Sequence, residues 1–141
     1  TKAVQDRLKT TKIEESKGAS LVFCWDTHLT KIKGRNVLFI VNASNRYTIA
    51  MTDIEPRNWN YYTMYIRSVI HGVMQEMGYS EDQIGQYFKM SGDTTVTKTH
   101  GRKSVGGINR MVMDAQYFGK KLEKEAKYQW ELSEYLNRDI C

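Results

Sequence analysis

The stretch SLVFCWDTHLTKIKGRNVLFIVNASNRYTIAMT, residues 20–52, decides the fold of this chain because it consists of short apolar runs separated by turns. Four runs have the length and the β-branched and aromatic content of strands: residues 20–25, 29–33, 36–41 and 47–52. Gly34 accepts a positive φ, so residues 33–36 have the chemistry of a hairpin turn, and residues 42–45 form a second turn. The stretch therefore predicts an antiparallel meander.

After residue 52 the apolar residues recur every three or four positions, and this period predicts helices. Pro56 suits the first turn of a helix that Gly78 would end. Ser80 and Gln83 form a capping box for a second helix, which would end near residue 92. We expect a third helix to begin near Ser104 and to continue through the lysine-rich tail. Residues 94–99 are a candidate for a further strand.

A sheet with segregated helices belongs to the α+β class. We predict a β-meander packed with about three helices as a single domain over residues 1–119, with a C-terminal helical extension at residues 120–141. No apolar run approaches the roughly 20 residues of a membrane span, and the N-terminal segment lacks the apolar core of a signal peptide. We therefore expect a cytoplasmic protein that does not bind a membrane.

The formal charge of +5 favours a polyanionic partner such as nucleic acid, or an acidic protein surface. The positive charge is concentrated in residues 94–113, TTVTKTHGRKSVGGINRMVM, which contain no acidic residue. Glycines and small hydroxyl residues surround these cations, a mixture that suits a cradle for phosphate at the start of a helix. The candidate anion-binding residues of this segment are Lys98, Thr99, His100, Arg102, Lys103, Ser104 and Arg110.

A second candidate group is NASNRY, residues 42–47, where Arg46 follows a tight turn and precedes a strand. Its guanidinium could bind phosphate bidentately, or it could form a structural ion pair with Asp53 or Asp26. Aromatic residues beside such cations could stack on bases, although aromatics at strand positions also serve as core. Secondary candidates are therefore Trp25, Asn42, Tyr47 and, in the basic segment, Asn109.

Catalytic and metal-binding patterns are weak in this sequence. The histidines are His28, His71 and His100, and none has the spacing to another ligand that would indicate a metal site. Ser104 lies four residues after His100 without a nucleophile-elbow motif, and the glycines match neither a dinucleotide fingerprint nor a P-loop. We predict no metal and no cofactor, and we favour a binding protein over an enzyme.

Two blocks of the sequence resemble an uncharacterised bacterial and mobile-element domain family of unknown function. Residues 21–51 are similar to its F-x-W strand, basic hairpin and N-x-x-x-R-Y turn, and residues 96–114 are similar to its T-K-T-H-x-R block. The resemblance spans roughly residues 1–119 and implies an α+β fold but no activity. The chain departs from it at Ala43, where an acidic residue is expected. The resemblance highlights Trp25, Asn42, Arg46, Tyr47, Thr97, Lys98, Thr99, His100, Arg102, Ser104 and Asn109.

These patterns lead to one favoured function and two alternatives. We expect a phage or mobile-element protein that binds nucleic acid or a ribonucleoprotein, for example as an anti-CRISPR type inhibitor of a host defence nuclease. The first alternative is a small nuclease or phosphotransfer-type enzyme that uses His100. The second is a protein-interaction module that presents Tyr128, Trp130 and Tyr135 on its C-terminal helix. The identity of the partner and the oligomeric state stay open.

Overall fold

We describe the fold from a computed structural model, which defines residues 2–8, 20–92, 101–124 and 126–138. For residues 2, 5 and 101–104 it defines the backbone alone. The predicted strand at residues 94–99 therefore lies outside the described residues. Within them, no helix is both long enough and apolar enough to cross a membrane.

A three-stranded antiparallel sheet forms the centre of the fold, in the order β1 (Trp25–Ile32), β2 (Arg35–Asn42) and β3 (Thr48–Thr52). This confirms the predicted meander and the α+β class. Lys33 and Gly34 connect β1 to β2, with φ of 51° and 83°, so that Ile32 pairs with Arg35 across a two-residue turn. Both positive φ values are those of the turns that match the twist of a hairpin.

The prediction of a strand at residues 20–25 is wrong, because Leu21–Phe23 form a single turn of 3₁₀ helix and β1 begins at Trp25. The first strand instead runs through Asp26 and His28, which interrupt the apolar pattern in the sequence. These polar residues are part of the strand because they alternate onto one face, opposite Val41 and Phe39 of β2.

In the described part of the chain, six α-helices surround the sheet: α1 (Lys2–Arg7), α2 (Pro56–Asn60), α3 (Tyr62–Glu76), α4 (Glu81–Ser91), α5 (Gly101–Gln116) and α6 (Trp130–Asn137). Gly78, with φ of 91°, follows the end of α3 as predicted, and its N–H donates to the Gln75 carbonyl. The Ser80 capping box is confirmed at the start of α4. The helix predicted from Pro56 is divided at Tyr61, whose ψ of 49° is not helical.

The two faces of the sheet have separate apolar cores. The core on one face consists mainly of strand residues and residues of α1, α2 and α3: Val4, Leu8, Leu38, Ile40, Ile49, Met51, Trp59, Tyr62, Ile66, Ile70 and Val73. The opposite face packs against α5 and α6, with Ile32, Val37, Phe39, Val41, Ala50, Ile108, Met111, Ala115, Phe118 and Leu132. Asp26 and His28 share this second face, so they lie on the side of the sheet that α5 covers, and α5 contains most of the basic segment.

The prediction that the third helix continues through the tail is wrong, because α5 ends at Gln116 and the chain then returns along the outer edge of β3. The Thr52 N–H donates to the Lys127 carbonyl at 2.7 Å, and the Gln129 N–H donates to the Ala50 carbonyl at 2.9 Å. The Ala50 N–H donates in turn to Ser133 Oγ at 3.0 Å. The tail therefore provides hydrogen-bond partners for the backbone of β3, an edge strand whose polar groups would otherwise be unpaired. The division of the chain at residue 119 stays a prediction.

Candidate nucleic-acid interface

Asn42 builds the turn from which Arg46 projects. Asn42 Oδ1 accepts hydrogen bonds from the N–H groups of Ser44 and Asn45 at 3.0 and 3.2 Å, and its Nδ2 donates to the Val22 carbonyl at 2.9 Å. The residue is only 3% exposed. The Asn42 amide therefore holds the turn inside the protein, and a ligand contact by Asn42 stays a prediction.

Arg46 adopts a left-handed backbone conformation, with φ of 66°, and its N–H donates to the Asn42 carbonyl at 3.0 Å. This region costs a residue with a Cβ about 1 kcal/mol, so a glycine would be easier to accommodate there. The conformation directs the Arg46 side chain toward α5. A Cβ added to Gly107 would lie 2.7 Å from Arg46 Cζ and 3.0 Å from its Nε. The guanidinium thus lies against the backbone of α5 at Gly107.

This contact joins the two sequence blocks that are separated by some sixty residues. Arg46 of the NASNRY turn contacts Gly107 of the basic segment, a proximity that could not be decided from the sequence. Two consecutive glycines inside a helix are unfavourable by propensity, and a close backbone approach is the physical reason for one of them. The sequence signal for this contact is the pair Gly106 and Gly107, whose pattern predicts a place in the phosphate cradle and does not match a nucleotide-binding motif.

Asp26 is the acidic partner of Arg46. Arg46 Nη1 lies 3.9 Å from Asp26 Oδ2, and the side chains are 32% and 3% exposed, respectively. The alternative of a structural ion pair with Asp26 is therefore present, whereas Asp53 instead contacts Arg35 at 3.1 Å. A buried carboxylate requires a nearby cation, and this requirement fixes the position of Arg46 beside α5.

His28 lies on the same strand face, two residues after Asp26. Its Nδ1 is buried and has no hydrogen-bond partner among the described residues. Burial lowers the pKa of His28, so the imidazole is neutral at physiological pH. Sequence reasoning considered His28 only as a metal ligand. In the described part of the chain, no group of three or more histidine, cysteine or acidic side chains could hold a metal ion.

The basic segment is defined only in part. Lys98, Thr99 and His100 lie outside the described residues, and of Arg102, Lys103 and Ser104 only the backbone is described, in the first turn of α5. Arg110 and Asn109 are exposed on α5, and Arg110 follows Gly107 by one helical turn. The first turn of α5 contains no acidic residue, so no carboxylate in that turn offsets the positive helix end.

The two aromatic candidates lie in different surroundings. Trp25 is half-buried against the core under α3, and its Nε1 donates to the Tyr87 hydroxyl at 2.9 Å. This environment matches its alternative interpretation as a core residue. Tyr47 also packs against that core but lines a surface cleft together with Tyr128 and Trp130. Tyr47 is therefore the better placed of the two for stacking.

Comparison with protein families gives one match. The model of a family described as "Domain of unknown function (DUF6933)" matches residues 1–141, which is the whole sequence. No curated protein and no solved structure matches the chain. A family of unknown function is thus confirmed, while the block motifs and the mobile-element origin stay predictions.

Proposed function

Since the chain belongs to the DUF6933 family, we propose its function from the site: it binds nucleic acid, alone or within a ribonucleoprotein, through the surface formed by Arg46 and α5. The observation that supports the proposal is the contact of the Arg46 guanidinium with Gly107. This contact places Arg46, from the NASNRY turn, beside α5, whose first turn contains Arg102 and Lys103. The mechanism is phosphate contact by cations and by the N–H groups at the start of α5.

Arg46 contributes less to this surface than its charge suggests. Asp26 lies 3.9 Å from it and offsets part of its field, and only about a third of the Arg46 side chain is exposed. Arg110 is exposed on α5, and Arg102 and Lys103 belong to its first turn. We therefore assign most of the salt-dependent affinity to Arg102, Lys103 and Arg110, and we assign to Arg46 the positioning of the surface.

Binding of labelled single-stranded RNA, single-stranded DNA and duplex DNA at 50 and 200 mM salt tests the proposal. With three phosphate contacts, affinity should fall by roughly 20-fold for a single strand and about 40-fold for duplex DNA over this range. Arg102→Ala/Lys103→Ala should reduce the salt slope by about 1.5 to 2, and Arg110→Ala by about 1.

Lys89→Ala is the matched control, because Lys89 is exposed on α4, which packs on the opposite side of the sheet from α5. It removes the same charge without touching the proposed surface, so its salt slope should equal that of the wild type. Equal losses in Lys89→Ala and Arg110→Ala would show a response to net charge alone. Absence of binding to all three nucleic acids at 50 mM salt would overturn the proposal.

The narrower role of a host-nuclease inhibitor is part of the same proposal and is tested by capture of a defence ribonucleoprotein. The enzymatic alternative rests on His100, and loss of turnover in His100→Ala with unchanged binding would favour it. The interaction-module alternative has less support, because α6 buries Leu132 in the core and Tyr135 packs on Phe118, with ring centroids 5.3 Å apart.

A further inference from the structure

A surface cleft lies between the start of β3 and helix α6, with a volume of about 220 Å³. Its lining residues are Tyr47, Tyr128, Trp130, Glu134, Asn137 and Arg138. Asn137 fixes the cleft to the sheet, because its Oδ1 accepts from the Thr48 N–H and its Nδ2 donates to the Thr48 carbonyl, both at 2.7 Å. The cleft is therefore built from positions that are tied to the edge of the sheet.

Aromatic rings form the walls of this cleft. Tyr128 and Trp130 are nearly perpendicular, with an interplanar angle of 75° and ring centroids 5.5 Å apart. Trp130 is 45% exposed, so part of its ring is accessible to a ligand in the cleft. Burial raises the pKa of Tyr128 to about 12, so its phenol remains protonated at neutral pH. The walls thus offer π-faces and neutral hydroxyl groups.

The two charged lining residues, Glu134 and Arg138, narrow the class of ligand. Arg138, whose guanidinium carbon lies 4.9 Å from the centre of the Tyr135 ring, would repel a cationic ligand, and Glu134 would repel an anionic one. A neutral planar group with both hydrogen-bond donors and acceptors can use the carboxylate and the guanidinium together. The volume is below the roughly 300–1,000 Å³ of pockets for drug-sized ligands, so a single ring system fits best.

We infer that this cleft binds one unpaired nucleobase of a single strand, between the Tyr47, Tyr128 and Trp130 rings. The inference rests on the proposed function, because Tyr47 follows Arg46 of the proposed interface in the sequence, so that the turn which carries the cation continues directly into an aromatic wall. Bases stack on aromatic side chains regardless of sequence, and a paired base in a duplex cannot enter such a cleft. The ligand is therefore single-stranded nucleic acid.

The first test compares Trp130→Ala with the control Tyr61→Ala. Tyr61 is another exposed aromatic residue, at the junction of α2 and α3, and it does not line the cleft. Trp130→Ala should weaken single-strand binding by roughly 5- to 150-fold and leave duplex binding unchanged. Tyr61→Ala should change neither. Equal effects of Trp130→Ala on single strands and duplex, or no effect on single strands, would overturn the cleft while leaving salt-dependent binding intact.

The second test uses uncharged nucleosides, which report on the cleft even if the phosphate surface is wrong. Millimolar adenosine, cytidine, guanosine or uridine should shift the indole N–H resonance of Trp130, assigned through Trp130→Phe, and leave those of Trp25 and Trp59 in place. Glu134→Ala should weaken the response without removing an aromatic wall. No shift with any nucleoside, or a shift produced only by tetramethylammonium ion, would overturn the inference.

Discussion

Gly107 and Gly106 are adjacent in α5, yet alanine should have opposite effects at the two positions. A Cβ at Gly106 meets no atom within 4 Å, so Gly106→Ala should stabilise the protein by the usual helix gain of about 0.5–1 kcal/mol. A Cβ at Gly107 would lie 2.7 Å from Arg46 Cζ, and the guanidinium must move away from it. The side chain tip can move, so the main cost is its weakened interaction with Asp26.

The size of this cost follows from the burial of the pair. Complete removal of one partner from a buried ion pair costs about 3–5 kcal/mol. Arg46 is 32% exposed and would be displaced rather than removed, so we expect a loss on the order of 1–3 kcal/mol. Subtracting the helix gain, Gly107→Ala should be neutral to destabilising by about 2 kcal/mol in the wild type. In an Arg46→Ala background, it should stabilise by about 0.5–1 kcal/mol.

Urea unfolding of Gly106→Ala and Gly107→Ala in both backgrounds measures the coupling. The cycle for Gly107 and Arg46 should give an interaction energy of about 1–3 kcal/mol, whereas independent sites add within about 0.3–0.5 kcal/mol. The cycle for Gly106 and Arg46 should give a value within that smaller range. If Gly107→Ala stabilises both backgrounds equally, the contact between the NASNRY turn and α5 does not exist and the composite surface is wrong.

Two further predictions address the edge of the sheet and the residue under α5. Asn137→Ala should destabilise the protein by about 1–3 kcal/mol, because the backbone N–H and carbonyl of Thr48 both lose their partner. The control Asn109→Ala, on the exposed face of α5, should cause no loss of stability. Equal urea midpoints for the two variants would contradict the prediction. Burial lowers the pKa of His28 in the folded protein, so its stabilising contribution is complete above about pH 6.5 and is lost as the pH falls toward the folded-state value. The free energy of unfolding should therefore decrease less between pH 7.5 and 5 for His28→Asn than for the wild type, and equal decreases would refute it.

Local chemistry made much of the fold predictable. Gly34 in the hairpin and the Ser80 capping box act through neighbouring residues, so their patterns identified the turn and the helix start directly. In the tail, a C-terminal helix is confirmed as α6, but the predicted continuation of the third helix is wrong for the opposite reason. Its lysine- and glutamate-rich composition favours a helix, but the edge of β3 forms hydrogen bonds with the Lys127 carbonyl and the Gln129 N–H. These partners are more than seventy residues away in the sequence.

In the candidate site, too, local features were predictable and long-range contacts were not. Asn42 and Arg46 were identified from the turn that they share, and Asp26 was one of two expected partners of Arg46. Their roles required the register of β1 on β2, which places Asp26 on the face that α5 covers. The cleft could not be predicted from the sequence, because Tyr47 and Trp130 come from distant segments that lie together only at the edge of the sheet.

Arg46 would position the proposed binding surface without carrying most of its affinity. Its left-handed backbone costs about 1 kcal/mol, and a buried aspartate and a glycine on a neighbouring helix are needed to receive its side chain. A residue selected only for positive charge would need none of these. The guanidinium contacts both Gly107 and Asp26 through different atoms, whereas the ammonium of a lysine is a single compact charge. The arrangement therefore fixes the turn against α5, and with it the position of the Tyr47 wall relative to the cations of the helix.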